Sequence, residues 1–188
     1  MSLLDAKKSK SYEGGPSFSL GNRIYRAVWN MTWLLLCSWT PNILNFWRIF
    51  VLRLFGAQIP FSARVNAKAT IWSPQNLTVG HGSTITRGVN CYNMGFVEIG
   101  SHVVLSQNAH LCAGSHNVES ESFQLITKPI LILDRAWIAS EAFVGPGVTV
   151  AEGAVLGARG AAFKDLEPWS IYRGNPSVFV RKRKHNKI

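Results

Sequence analysis

A chain of 188 residues that is 47% apolar and only 16% charged is long and apolar enough for one ordinary folded domain plus an appendage, and is not a disordered chain. Twenty Lys and Arg against ten Asp and Glu leave a net charge of +10, which suits anionic partners such as nucleotide phosphates, acidic lipid headgroups or nucleic acid, and equally a basic solvated face. Three cysteines, Cys37, Cys91 and Cys112, without CxxC spacing exclude a disulfide framework and a zinc ribbon and fit a reducing cytoplasm.

Residues 1–18, with KKSK and EGGPS, read as a polar, flexible arm. Residues 19–58 read as a helical N-terminal extension. Ile24, Ala27, Val28, Met31, Leu34, Leu35 and Ser38 keep helical spacing; a second helix is punctuated by Thr40 as N-cap, Pro41 at the first helical position and Gly56 after its end. Its expected apolar face runs through Ile43, Phe46, Trp47, Phe50, Val51 and Leu54. Residues 27–47 carry no charged side chain, but Asn30, Thr32, Ser38, Thr40, Pro41, Asn42 and Asn45 interrupt them. The densest apolar part, WLLLCSW, is far short of the roughly 20 residues that a bilayer crossing requires. Neither a spanning helix nor a cleaved signal peptide is expected.

From Val65 the texture changes to short pieces rich in Val, Ile, Ala, Gly, Ser and Thr. Aliphatic or small apolar residues recur at 65 and 71, at 79, 85 and 91, at 99, 105 and 111, and at 132, 138, 144, 150, 156 and 162. A period of six is neither helical nor the alternation of an open sheet. It suits a chain wound around a triangular prism, one short strand and one corner per face, with the aliphatic residues stacked along the axis. Small residues after them, as in Val79-Gly80, Ile99-Gly100, Val144-Gly145 and Leu156-Gly157, suit tight corners, some of which would need a positive φ. Between Leu111 and Ile132 the period breaks into an excursion too long for a corner, loop 113–131, and long loops in compact domains are commonly functional. His116 lies on it.

These repeats, together with LTVG, CYNMGFVEIG, HLCAGSHN, AWIASEAFVGPGVTV, GARGAAFKDLEPW and RGNP, resemble the hexapeptide-repeat acyltransferases, most closely the colanic-acid-biosynthesis type of sugar O-acetyltransferase, relatives of the galactoside, maltose and nodulation acetyltransferases. The resemblance covers residues 59–180. It implies an all-β solenoid, a left-handed parallel β-helix, preceded by the two-helix extension and followed by a basic C-terminal tail at 181–188. It also implies acetyl-CoA as co-substrate, a homotrimer with active sites between subunits, and a sugar or glycan precursor of an exopolysaccharide as acceptor.

An alcohol attacks a thioester well only when a base removes its proton. Histidine, with an unperturbed pKa of about 6.5, suits that task near neutrality. His116 matches the family's catalytic His and is the expected general base. His81, His102, His110 and His185 read as structural. Asn93 falls where two extra residues lengthen a hexad, and reads either as an acceptor contact or as a turn-forming residue. The resemblance lays acetyl-CoA in a groove between subunits along Trp137, Ser140, Gly145, Ala158 and the Phe163-Lys164 pair, with Lys164 and Arg181 toward the CoA phosphates. Val178 stands where relatives often carry Arg, and Phe163 where Thr is common; Arg159, Arg173, Lys182 or Arg183 are the alternative cations. No metal is expected.

The tail RKRKHNK suits lipid headgroups, CoA or plain solvent; nucleic acid is not an expected partner, because no recognised binding module is present. The Trp-rich helices suit three roles: capping the open end of the solenoid, peripheral contact with the inner face of the plasma membrane, and a trimer contact. Direct transfer is favoured over an acyl-enzyme because neither Cys91 nor Cys112 has an evident base. Two other functions compete: a carbonic-anhydrase-like metalloenzyme, suggested by His81 and His116, and a non-catalytic scaffold.

Overall fold

The computed structural model describes residues 3–184. The period of six becomes a prism of about five turns. One face is laid down by Arg64–Val65, Thr84–Ile85, Val104–Leu105, Trp137–Ile138, Val155–Leu156 and Ser170–Arg173. The second holds Thr70–Ile71, Asn90–Tyr92, His110–Cys112, Phe143–Val144 and Ala161–Ala162, and the third Leu77–Val79, Val97–Ile99, Ile130–Ile132 and Thr149–Val150. Within each face these strands pair in parallel, so identical positions of successive turns stack. Val65, Ile85, Leu105, Ile138 and Leu156 form one such column, each 1% exposed or less. Two-residue strands cannot stand alone; burial of these columns and pairing to the turn on either side hold them.

The small residues at the corners have two distinct causes. Gly80 and Gly100 lie where stacked backbones touch: a Cβ on Gly80 would come within 2.5 Å of the Gly100 carbonyl carbon. The positive φ values fall two residues later, at Gly82 (66°) and His102 (57°). The left-handed corner is thus occupied by non-glycine residues as well, including Asn108, Arg135, Glu141 and Arg159. At one corner column this sets Arg159 Nε 2.7 Å from Glu141 Oε2.

Helices α2 (Leu20–Leu36) and α3 (Asn45–Leu54), which follow a single turn of helix α1 (Ala6–Ser9), close the N-terminal end of the prism. Trp29 donates to the Ile71 carbonyl, and Asn45 bonds both the Ala63 carbonyl and the Val65 N–H, so the first turn's free edge is satisfied. Ile49, Val51 and Leu52 extend the apolar core. The expected punctuation is corrected here. Pro41 precedes a short 3₁₀ turn, Asn42–Leu44, and α3 begins only after it. The Thr40 hydroxyl does not cap a helix; it donates to the Cys37 carbonyl and accepts from Arg48 Nη1. Arg48, 1% exposed, also donates to the carbonyls of Val65 and Pro41. The expected apolar face is only partly inward: Val51 is buried and Trp47 packs against the core, but Ile43, Phe46, Phe50 and Leu54 are exposed, and Arg48, Ile49 and Leu52 join Val51 on the inward side.

The N-terminal segment, expected as a flexible arm, is packed from residue 3 onward. Leu3 pairs with Phe18, and Phe18 is buried with Met94 and Leu125. The Ala6 N–H donates to Gln124 Oε1, and Gln124 Nε2 donates to the Leu4 carbonyl. A few apolar residues among polar ones suffice, because the loop supplies the other wall. At the far end, Ser170–Arg173 turns back antiparallel into Val178–Lys182. Residues 185–188 of the tail, His185 among them, lie outside the described residues.

Candidate active site

The break in the period folds as a hairpin. Gly114–His116 continues past the second face and pairs antiparallel with Leu125–Thr127, so the loop projects from the prism. Asn117 N–H bonds the Gln124 carbonyl, and Ser120 and Phe123 close successive turns, with Phe123 at φ 47°. Phe123 then lies flat against the His116 ring, centroids 4.3 Å apart at 12°. Its carbonyl oxygen is 2.8 Å from His116 Nδ1. A carbonyl only accepts, so Nδ1 carries the hydrogen and, in the neutral ring, Nε2 keeps its lone pair. The ring is exposed, held on one face and at one nitrogen and open at the other.

His116 borders a cleft of about 240 Å³ lined also by Ser17, Phe18, Tyr92, Met94, Ser115 and Leu125. None of these neighbours was singled out by the repeat pattern. Phe123 is inside the interruption and Phe18 is in the arm, where period six says nothing. Tyr92 and Met94 follow the inward Cys91, and only the extra residues of CYNMG mark their corner.

Asn93 is not in the cleft. It is fully buried; its side chain accepts from the Ser73 N–H and donates to the Ser73 carbonyl, while Asn76 donates to the Asn93 and Met94 carbonyls. The reason is the lengthened corner itself. Ile71 to Val79 and Cys91 to Ile99 both span eight residues, so two irregular corners stack, and Asn93 joins them where plain strand pairing cannot. Its side chain is taken up by Ser73, as the turn-forming reading of Asn93 expects.

The residues expected along the donor divide between two edges of the prism. Ser140 and Ala158 lie on the edge between the first and second faces, where Ser140 Oγ donates to Gln107; Trp137, on the adjoining strand of the first face, donates from Nε1 to Ser106. Gly145, Phe163 and Lys164 lie on the edge between the second and third faces, the edge from which the His116 hairpin departs. Gly145 is a close approach, since a Cβ there would sit 3.2 Å from the Ala162 carbonyl oxygen. Phe163 is exposed and packs on Phe143, with centroids 5.6 Å apart. Arg181, exposed on the terminal strand, donates from Nη1 to the Lys182 carbonyl. Among the alternative cations Arg159 is paired with Glu141, Lys182 with Glu167, and Arg183 donates to the Arg135 and Gly153 carbonyls. One chain therefore presents the residues expected along the donor on two different edges.

The Cys91 thiol is a poor nucleophile here. Burial pushes Cys91 up to about 12, and Cys112 donates its S–H to the Gly114 carbonyl. Among the described residues no three His, Cys, Asp or Glu side chains converge as metal ligands. His81 bonds Ser62 at the corner between the third and first faces, away from the His116 corner.

No protein-family model matches the chain. It is 40% identical over 166 residues to the protein named colanic acid biosynthesis acetyltransferase WcaF of Escherichia coli K12, covering 88% of this chain and 91% of that one. A hexapeptide-repeat acetyltransferase of Vibrio cholerae, solved with acetyl coenzyme A, superposes with a TM-score of 0.81 at 20% identity, over 91% of this chain and 93% of the other. A maltose O-acetyltransferase of Clostridium difficile 630 superposes at 0.79 and 20% identity, over 89% and 90%.

Proposed function

Because the chain belongs to the hexapeptide-repeat acetyltransferases of the left-handed β-helix fold, in the colanic-acid-biosynthesis branch, we propose that it moves an acetyl group from acetyl-CoA to a hydroxyl of a sugar or glycan precursor of a surface polysaccharide. The observation that carries this reading is the fixed tautomer of His116 beside a cleft. Nε2 takes the hydroxyl proton as the sugar oxygen bonds to the thioester carbon, the C–S bond then breaks, and the imidazolium returns the proton to the departing CoA sulfur. Both nucleophile and leaving group are served by one nitrogen, and no covalent enzyme intermediate is needed.

We infer that three copies assemble so that the Trp137, Ser140 and Ala158 edge of one meets the His116, Gly145, Phe163 and Lys164 edge of the next, enclosing the pantetheine arm. Lys164 and Arg181 then face the CoA phosphates, joined by Arg173 in place of the Arg that Val178 replaces. The acceptor enters the cleft bounded by Phe18, Tyr92 and Met94. The location is the cytoplasm, at the inner face of the plasma membrane.

Acetyl-CoA titration and glycan-acceptor turnover of wild type and His116→Ala, side by side, test the reading. The expected result is unchanged acetyl-CoA binding with turnover lowered by about 10²–10⁴-fold. Near-wild-type turnover in the folded variant would remove His116 from the mechanism, and folded wild type that binds no acyl-CoA would remove the transferase reading.

A further inference from the structure

Helix α2 is amphipathic in the reverse sense for a cap. At 100° per residue its exposed Leu34, Leu20, Met31, Ile24, Leu35 and Val28 fall within an arc of about 120°, opposite the inward Trp29 and Trp33. Leu34 is 63% exposed and Ile43, in the turn to α3, 82%. Trp39 is 68% exposed, yet its indole N–H is already bonded to the Leu35 carbonyl, so the ring can enter an apolar medium without stranding a donor. No helix among the described residues is long and apolar enough to cross a membrane.

The charge around this face selects its partner. From residue 14 to residue 97 the chain holds no Asp or Glu, against seven basic residues. Of these, Arg23 borders the α2 arc and Arg53 lies beside Leu54 on α3, with its guanidinium over the Phe61 ring. Two copies joined through this face would bring like charges together with no carboxylate to answer them. A bilayer surface supplies both an apolar layer for the arc and anionic headgroups for the arginines.

We propose that the outer face of α2 and its turn into α3 docks the enzyme on an anionic phospholipid bilayer, the helix lying in the plane of the interface. The proposal rests on the peripheral location inferred above and is independent of acyl transfer. The inner face of the same helices closes the prism while the outer face lies in lipid, which accounts for a helix that is apolar on one side and aromatic on the other.

The test is co-sedimentation of the full chain with vesicles of phosphatidylglycerol and phosphatidylethanolamine or of phosphatidylcholine alone, for wild type, for Ile24→Gln/Met31→Gln/Leu35→Gln, and for Lys184→Gln/Lys187→Gln. Native mass and acetyl-CoA binding are measured on each. Expected is preference of wild type for the anionic vesicles and a roughly 10- to 100-fold loss in the triple variant, with mass and acetyl-CoA binding unchanged. If the triple variant binds as wild type while the tail variant does not, the surface is wrong and the peripheral location stands. Wild type that binds neither vesicle overturns both, and a triple variant that changes native mass assigns the face to contact between copies instead. Loss of acetyl-CoA binding in wild type bears on the transferase reading alone.

Discussion

His110 and His116 sit six residues apart and do opposite things with the same ring. His116 has one nitrogen tied to a carbonyl and one open to solvent, the arrangement that the proposed base needs. His110 is packed edge-on between Tyr92 and Phe143, its Nε2 is buried without a hydrogen-bond partner, and burial pushes its pKa below the ordinary 6.5. The unfolded chain then takes up a proton at a pH where the folded ring still resists it. Stability from this site is full above about 6.5 and is lost as pH falls toward the depressed folded value. Thermal unfolding between pH 7.5 and 5 should show the midpoint falling with pH, and His110→Phe, which keeps the aromatic packing, should flatten that fall; an unchanged slope would show that His110 is not responsible. The sequence marks both histidines but not this difference, because the groups that define it, Phe123 and Tyr92, come from a loop and a neighbouring turn.

At the scale of elements, period six located the prism strands from Arg64–Val65 to Ala161–Ala162, but not the hairpin strands of the loop or the last two strands. It did so because burial along a narrow axis admits one kind of residue at one spacing. The corners were less legible. Glycine after an inward residue suggested little room and, at some corners, a positive φ; the room is needed there, whereas the positive φ falls two positions later and is met by His102, Asn108 and Arg135 as well as by glycine. At Gly80 the demand is room, with stacked backbone 2.5 Å from any added carbon. Gly80→Ala should therefore cost about 1–3 kcal/mol by forcing two turns apart, whereas Gly82→Asn, at an angle asparagine adopts, should cost less. Urea unfolding of the two variants compares them: equal losses would mean that the His102 ring, 2.8 Å from a Cβ at Gly82, is as unyielding as the stacked backbone at Gly80. Asn93 belongs to the same lesson. Its extra residues were visible, but their purpose depends on a second lengthened corner stacked on the first. The helices were found by spacing, but most of the apolar residues that spacing picks out, Val51 excepted, are turned outward.

For the whole molecule, the division of the donor residues between two edges makes assembly part of the proposed chemistry. Native mass should be about three times the 20.8 kDa of one chain. A mixed preparation offers a sharper check. His116→Ala and Ala158→Trp, each inactive alone, should recover about one quarter of wild-type turnover when unfolded and reassembled together at equal ratio, because a site then draws its intact halves from different chains. No recovery, with mixed trimers demonstrated by mass, would place both halves of the site in one subunit. The solenoid, the interruption and the histidine on it were legible in the sequence, because each is written in local spacing that one turn imposes on the next. The tertiary structure alone decided which nitrogen of His116 is held, that Asn93 is buried, that the arm walls the cleft, and which face of the helices meets solvent. Those outcomes depend on residues far apart in the chain arriving at the same corner, and no periodicity records what a neighbouring turn or loop will bring there.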